Sequence, residues 1–558
     1  MFQMGPKIRV EIEGRDPADY SVGTRVRDLP IGDYDEQGLA YLGAIVNNDV
    51  VTRSYALEVD SRVRPVTIRD RAGWRIYRQS VAFLLAKVVH EHFPDAAFSV
   101  EHSLGPGFYC SFSREGRTGI MEAEREKIET ELRALALRDA PIERRKIAFE
   151  TALRQFEASG RDDIFDLLRF QNPPKIVVYE CEGFTDLAHS VMADHTGGLK
   201  HFRLLPYPPG FVLQFPDRER APEFAPFEPQ PHLFQIFREH KEWGHILGLR
   251  TVGDLNRAIA NHEIADVIRI AEGFHEKKIA RLADHIRDHQ DRIQWVLIAG
   301  PSSSGKTTFS KRLMVQLRVN GLKPVVISVD DYFVDRAHTP RDETGALDFE
   351  HIQTVDLDLF NRHLSALDRG EEVELPTFNF ASGTREFRGN KLRLGPDQIA
   401  LIEGIHALNP QLTHALPSER KFKIYISALT QLNLDHHNRI STTDNRLLRR
   451  MVRDDMFRGN DAVTTLDMWP RVRRGERLWV FPFQKEADQA FNSALDYELA
   501  VLKPFVEPLL REVKPYHSCY GEARRLMMFL ESFVPTRYEP VPPNSILREF
   551  LGRSAFRY

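Results

Sequence analysis

The chain has 558 residues, too many for one hydrophobic core, so we expect several domains. Hydrophobic residues make up 42% of it, and a formal net charge of −4 gives no general basic bias towards nucleic acid. Three widely spaced cysteines argue against a disulfide framework or a zinc knuckle. The start has no apolar leader and no run of 18 apolar residues occurs, so we expect a cytoplasmic protein with no membrane partner.

The first 215 residues alternate between strand and helix patterns. "KIRVEIEG" alternates apolar and polar residues and begins a β-rich module over 7–68. An apolar helix, "SVAFLLAKVVHEHF", precedes the strands "AAFSVEHS" and "GFYCSFS". Residues 119–139 form an amphipathic helix pattern, with Ile128, Leu132 and Leu135 on one face. "APIERRKIAFETALRQFEASG" predicts a second helix that makes a hairpin with it, and "PPKIVVYECEG" a strand.

Proline is dense over 216–232, which indicates a linker, and a helical segment follows to about residue 292. We therefore divide the chain into residues 1–70, 71–215, 216–292 and 293–558.

The segment Gly300–Thr307, "GPSSSGKT", matches the phosphate-loop pattern GxxxxGK[ST] in full. The strand "QWVLIA" precedes it and a helix follows, so the backbone N–H groups and the helix N-terminus face the phosphates of a nucleotide. Lys306 is expected to reach the β- and γ-phosphates and Thr307 to hold Mg²⁺. The predicted ATP-binding residues are Gly300, Ser302, Ser303, Ser304, Gly305, Lys306, Thr307 and Thr308.

Carboxylates end the next two predicted strands. "PVVISVDD" ends at Asp330 and Asp331, and "QIALIEG" ends at Glu403. The carboxyl ends of parallel strands form the ligand-binding edge of such sheets, where a carboxylate can accept the proton of an attacking hydroxyl. A helix N-cap or a ligand of a Mg²⁺-bound water is the alternative role. The pattern does not decide between Asp330 and Asp331 as the base.

A run of arginines follows in "DNRLLRRMVRDDMFRGN". Arg446, Arg449, Arg450, Arg453 and Arg458 fall at helical spacings. A solvated basic helix is the ordinary interpretation of such a run. Coming after the phosphate loop and the strand-end carboxylates, a lid that clamps the transferring phosphoryl group is favoured.

With these motifs, residues from about 293 to 515 resemble the uridine kinase and phosphoribulokinase family of P-loop kinases. The resemblance rests on "GPSSSGKTT", "SVDDYF", "LDFEH", "LPTFNFASGTREF", "LIEGIHAL" and "DNRLLRRMVRDDMFRG". It implies an α/β fold with a parallel sheet, ATP and Mg²⁺ as cofactors, Asp330 as the base and Glu403 with Thr307 at the metal. It assigns phosphoryl-transfer roles to Lys306, Arg446, Arg449 and Arg453, and acceptor binding to Tyr332, Phe349, Glu350, Phe378, Phe380, Arg385 and Arg458.

Two departures concern the acceptor. The family's pyrimidine-reading histidine corresponds to Gly383, and a base-reading glutamine corresponds to the region of Met468. A site without its hydrogen-bonding readers loses discrimination. The sequence thus predicts transfer of the γ-phosphoryl group of ATP to the 5′-hydroxyl of a nucleoside, most simply a pyrimidine nucleoside, and leaves another sugar alcohol open as acceptor.

Residues from about 7 to 205 resemble a TGS module of the β-grasp fold, followed by the α+β second domain of threonyl-tRNA synthetase. That domain edits mischarged tRNA with three histidines and a cysteine. The matching positions here are Gln79, Phe83, Ala188 and Met192, none of which supplies the same chemistry. Asp186 and His195 are retained, and a lone histidine is more often structural.

This half is therefore predicted to be a scaffold. An RNA- or tRNA-binding regulatory protein, with the kinase fold as its switch, is the alternative function for the whole chain. We also expect a homo-oligomer, and the tail "NSILREFLGRSAFRY" predicts a short helix at a frayed end.

Overall fold

The computed structural model describes residues 6–380, 382–395 and 397–557. Its first module is a five-stranded sheet in the order β2-β1-β5-β3-β4. Ile8, Val10 and Ile12 point inward from the first strand as the alternation predicts, because successive side chains of a strand face opposite sides. The strands are β1 (Lys7–Ile12), β2 (Ala18–Ser21), β3 (Gly43–Val46), β4 (Asp49–Val51) and β5 (Ser61–Val66).

The second domain packs a long buried helix against two antiparallel sheets, with strand orders β12-β13-β7-β6 (β8 pairs with β7) and β11-β10-β9. The amphipathic helix is confirmed, with Ile128, Leu132 and Leu135 buried. The elements are α1 (Arg71–His92), β6 (Ala97–Leu104), β7 (Gly107–Arg114), β8 (Arg117–Thr118), α2 (Glu122–Leu137), β9 (Glu143–Ala148), α3 (Phe149–Ala158), α4 (Asp162–Leu168), β10 (Lys175–Cys181), β11 (Phe184–Leu187), β12 (Arg203–Tyr207) and β13 (Gly210–Gln214).

The predicted helical hairpin is wrong. Residues 143–148 form strand β9, which pairs antiparallel with β10, and only 149–158 are helical. Glu, Arg and Lys are good helix formers, so the local pattern favoured a helix. The strand forms because β10, which follows two helices further along the chain, offers it a ladder of backbone hydrogen bonds.

The segment 231–288 consists of three helices, α5 (Pro231–Leu247), α6 (Val252–Ala260) and α7 (Ile264–Asp288). The last two pack into the same core as the carboxy-terminal domain. Asn256 also donates a hydrogen bond to the Ser532 carbonyl at 2.8 Å and accepts one from the Val534 amide at 2.8 Å. These helices are thus built onto the carboxy-terminal domain.

The carboxy-terminal domain is centred on an all-parallel sheet in the order β15-β18-β14-β19-β22, with helices on both faces. The three strands that the sequence predicts are confirmed as β14, β15 and β18. The elements are β14 (Trp295–Ala299), α8 (Lys306–Val319), β15 (Lys323–Ser328), α9 (Leu357–Asp368), β16 (Val373–Asn379), β17 (Thr384–Leu392), β18 (Gln398–Glu403), β19 (Lys421–Ser427), β20 (Asn433–Asp435), β21 (Asn438–Arg439), α10 (Thr442–Arg458), α11 (Ala462–Trp479), β22 (Gln489–Asn492), α12 (Glu498–Glu512), α13 (Tyr520–Leu530) and α14 (Arg548–Leu551).

The tail is not frayed, which corrects the sequence prediction. Ile546, Leu547 and Phe550 are fully buried around the short helix α14, beside the phosphate loop. Only Tyr558 of this segment lies outside the described residues. The tail is ordered because it fills the core between α10 and the loop.

Among the described residues, no helix has the length and apolar character needed to cross a membrane.

Candidate functional site

The phosphate loop, residues 300–308, adopts a conformation that its glycines and serines make possible. Gly305 has φ +81° and Ser303 has φ +58°, both in the left-handed region. A Cβ at Gly300 would lie 2.0 Å from the Ile426 carbonyl oxygen, so only glycine fits there. The hydroxyls of Ser303 and Ser304 are buried and have no partner among the described residues. These orphaned donors beside a helix N-terminus fit a bound phosphate chain.

Helix α10 carries the predicted arginines, but it lies within the core and is not an exposed lid. Arg446 is 1% exposed, donates to the Ser302 carbonyl at 2.9 Å and forms an ion pair with Glu476. Glu476 is fully buried and also accepts from the Ser302 amide at 3.0 Å and from Arg473 at 2.7 Å. Arg446 and Glu476 therefore brace the loop, because together they bind both backbone groups of Ser302.

Arg449 and Arg450 have the same bracing role. Arg449 is fully buried, donates to Glu498 at 2.7 Å and reaches the Ser303 carbonyl at 3.5 Å. Arg450 donates to the Ser302 hydroxyl at 3.0 Å. The prediction that Arg446 and Arg449 clamp the phosphoryl group is corrected, because both guanidinium groups are already bound to buried carboxylates and loop carbonyls.

Glu476 and Glu498 were missed by sequence reasoning. They lie 30 and 49 residues beyond the arginines that they bind, on α11 and α12. A charge run on one helix does not reveal such distant partners, although a buried helix with many arginines must have them.

The two aspartates that follow β15 have different environments. Asp331 accepts a hydrogen bond from the Phe378 amide at 3.2 Å and so tethers the β16–β17 hairpin. Burial raises the pKa of Asp330, and nearby cations oppose that rise. These cations are Lys306, Arg458 and Arg453. Asp330 thus lies where the phosphate loop and the end of α10 meet, and Asp331 has a structural partner.

Arg453 and Arg458 differ from the bracing arginines. Both act electrostatically on Asp330, and burial together with Arg458 lowers the pKa of Arg453 to about 10. Arg458 is about half exposed, with its Nη1 3.5 Å from Asp454. These two are the α10 arginines whose charges act on Asp330.

Glu403 ends β18 as predicted, beside the phosphate loop. Burial raises the pKa of Glu403 to about 7, and the charges of Asp330 and Glu549 add to that rise while Lys306 opposes it. Neighbouring carboxylates that raise one another's pKa fit Mg²⁺, which prefers oxygen ligands. Thr307 and Glu403 are the residues that would hold it.

A small pocket of about 70 Å³ lies between residues 342–350 and the helices α10 and α11. Phe349, Glu350, Met468 and Val472 line it, with arginines at its rim. Burial and the nearby charge of Glu476 raise the pKa of Glu350 to about 7. Its Oε2 atom has no hydrogen-bond partner among the described residues. An unpaired carboxylate and an aromatic ring together suit a polyhydroxyl compound that carries a flat group.

The β16–β17 hairpin contributes an aromatic cluster of Phe378, Phe380 and the unpredicted Phe333, with ring centroids 5.2 to 6.4 Å apart. Gly383 lies at its tip with φ +73°, and a Cβ there would be 2.8 Å from Arg336 Nε. A guanidinium group therefore occupies the space beside this glycine.

Two predicted acceptor residues have other partners. Tyr332 is 1% exposed; its ring packs on Phe360 and its hydroxyl shares a 3.0 Å hydrogen bond with His363. The structure thus corrects Tyr332 to a core residue. Arg385 donates to Asp356 at 2.8 Å.

The four positions that correspond to the synthetase editing residues have no metal-site chemistry. Phe83 and Met192 are buried in the second-domain core. No group of three His, Cys, Asp or Glu side chains within the described ranges is placed to hold a metal ion.

Residues 296–500 match the model of the phosphoribulokinase/uridine kinase family. The chain is 30% identical over 192 residues to a uridine kinase from Staphylococcus aureus, a match covering 34% of this chain and 83% of that protein. A solved structure of a possible uridine kinase from Bacillus stearothermophilus has 19% identity and a TM-score of 0.27, and the match covers 38% of this chain and 97% of that one.

The chain is also 29% identical over 262 residues to a threonine–tRNA ligase from Desulforamulus reducens. That match covers 44% of this chain and 40% of the ligase, so the chain spans less than half the length of this relative. The amino-terminal resemblance to threonyl-tRNA synthetase is thereby confirmed.

Proposed function

The chain belongs to the phosphoribulokinase/uridine kinase family, and from that membership we propose that it transfers the γ-phosphoryl group of ATP to a hydroxyl of a small acceptor, a pyrimidine nucleoside in the first instance. The observation that carries the proposal is the position of Asp330. The half-buried carboxylate of Asp330, whose pKa is raised by desolvation, experiences the charges of Lys306, Arg453 and Arg458 beside the braced phosphate loop.

In this mechanism ATP·Mg²⁺ supplies the phosphoryl group. Asp330 accepts the proton of the acceptor hydroxyl, since a raised pKa makes a carboxylate a stronger base. Lys306, Arg453 and Arg458 stabilise negative charge on the phosphoryl oxygens. The bracing arginines contribute indirectly, because they fix the loop before the nucleotide arrives.

The acceptor assignment rests on the pocket. Glu350 would accept hydrogen bonds from neighbouring hydroxyls of a sugar, and Phe349 would stack on a base. The guanidinium group of Arg336 lies beside Gly383 and donates to the Phe380 carbonyl at 2.9 Å. Its other N–H groups would be the donors where a histidine reader would stand, which favours an acceptor group that presents carbonyl oxygens.

The test is ATP consumption by the purified chain against a panel of nucleosides and sugar alcohols, with Lys306→Ala as the blank. A strong response to uridine or cytidine is expected. A response to another sugar alcohol alone would keep the phosphotransferase and change its acceptor. Silence across the panel would overturn the proposal.

The similarity to threonine–tRNA ligases favours one other candidate, a nucleotide-dependent tRNA-binding regulator. Tight, salt-sensitive tRNA binding by the full chain, with no phosphorylation of small molecules, would support that candidate in place of the kinase.

A further inference from the structure

A hairpin of the carboxy-terminal domain leaves its sheet and enters the second domain. It consists of β20 and β21, residues 433–439, between strand β19 and helix α10. It contacts separate parts of the second domain, which are α1, β6, the start of α4, β11 and the loop after β11. This insertion joins the two halves of the chain through side chains and backbone alike.

The centre of the insertion is a buried histidine–carboxylate network. His437 Nδ1 lies 2.6 Å from Asp186 Oδ2, and the rings of Phe98 and Phe184 flank it. Asp435 is fully buried and lies 2.6 Å from His189 Nε2. A satisfied polar network of this kind fixes one geometry, because any shift leaves buried polar atoms unpaired.

Backbone and side-chain amide groups make further hydrogen bonds between the hairpin and the second domain. The His436 carbonyl accepts from the Val100 amide at 2.9 Å, and the Val100 carbonyl accepts from Asn433 at 3.0 Å. Asn438 forms a hydrogen bond with Gln79, one of the positions that correspond to an editing histidine. The region equivalent to the editing pocket is therefore occupied by the chain's own hairpin.

The hairpin leads directly into α10, whose first turn has a second link to the amino-terminal half. Asp444 binds Arg525 at 2.8 and 2.9 Å, and Arg525 binds Glu522 at 2.9 Å. Glu522 in turn accepts from Arg75 of α1. Two independent sets of contacts thus hold the start of the helix whose arginines brace the phosphate loop.

We propose that the amino-terminal half is a positioning element: it holds the hairpin 433–439 and the first turn of α10, and through α10 it keeps the phosphate loop in its nucleotide-binding shape. Asp186 and His189 are positioning residues in this scheme, acting through the hairpin and α10. The proposal goes beyond phosphoryl transfer, and nucleotide affinity tests it whichever acceptor is used.

The experiment uses the full-length chain with His189→Ala and Asp186→Ala, each against wild type. We expect the Kd of ATP to rise by about fivefold or more, in the usual range for coupling between sites, while the acceptor KM stays unchanged. Amide hydrogen exchange should rise in residues 300–308 and 442–458 as well as in the hairpin. His189→Asn, which can still donate to Asp435, should restore part of the affinity.

His195→Ala is the matched control. This histidine belongs to the same domain, and its side chain is 41% exposed beside Asp194. It takes no part in the hydrogen bonds and ring contacts that hold the hairpin 433–439. It should leave ATP affinity unchanged. A merely structural role would lower the melting temperature of the variants but leave ATP affinity and loop exchange unaltered at temperatures where they are folded. That result would overturn the proposal, and so would hairpin displacement by tRNA without any loss of ATP affinity.

Discussion

The carboxylate of Glu549 accepts hydrogen bonds from the backbone amide of Thr308 at 3.2 Å and from its hydroxyl at 2.8 Å. Thr308 is in the first turn of α8, where the orphan amides of a phosphate loop meet the nucleotide. A protein carboxylate thus takes a place that suits phosphate oxygens, and in the proposed function ATP would have to displace Glu549 from it.

We predict that Glu549→Gln tightens ATP binding by roughly five- to tenfold, since a charge-assisted hydrogen bond and its repulsion of phosphate are removed. Calorimetric titration with ATP·Mg²⁺ measures this. Glu512→Gln, an exposed carboxylate at the end of α12, is the control and should change nothing. Weaker binding by Glu549→Gln would mean that the carboxylate assists the nucleotide.

Substitution of the two neighbouring aspartates should have different effects on kcat. Asp330→Asn is expected to lower kcat by about 10² to 10⁴, the usual contribution of a general base, with ATP affinity little changed. Asp331→Asn keeps an oxygen that can accept from the Phe378 amide, so its kcat should stay within a few-fold of wild type. Steady-state kinetics on both variants checks this, and the reverse order would exchange their roles.

Acceptor binding should depend on pH through Glu350. Its pKa is raised to about 7, so the carboxyl is largely protonated below pH 7 and accepts hydrogen bonds from sugar hydroxyls better once ionised. The acceptor KM should therefore rise as the pH falls below 7, by up to about tenfold per unit. Glu350→Gln should have a high KM without this transition. A wild-type KM that is flat between pH 5.5 and 8 would contradict the role.

Glu476 should be important for stability as well as for the loop. Glu476→Gln leaves Arg446 buried without its counter-charge, and breaking such a pair typically costs about 3 to 5 kcal/mol. Urea unfolding, followed by a signal from the carboxy-terminal domain, measures the loss in the free energy of unfolding. The exposed control Glu419→Gln should lie within about 0.5 kcal/mol of wild type. If Glu476→Gln were as stable as wild type, the Arg446–Glu476 pair would not contribute to stability, which would leave Arg449 and Arg450 as the residues that brace the loop.

The sequence by itself determined the phosphate loop, the strand-end carboxylates and the two resemblances. Each of these depends on residues that are close in the chain, where spacing and residue type carry the chemistry. The α/β class and the parallel sheet were implied by the kinase resemblance that these motifs carry.

Only the tertiary structure decided which groups the arginines of α10 contact, that Asp331 binds the β16–β17 hairpin, and that residues 143–148 form a strand. It also revealed that the tail is buried against the phosphate loop and that the hairpin 433–439 inserts into the second domain. In each case the deciding partner is distant in sequence: Glu476 for Arg446, Phe378 for Asp331, Asp186 for His437. Burial makes these pairings obligatory, because a buried charge or amide must be satisfied by whatever group the fold brings beside it.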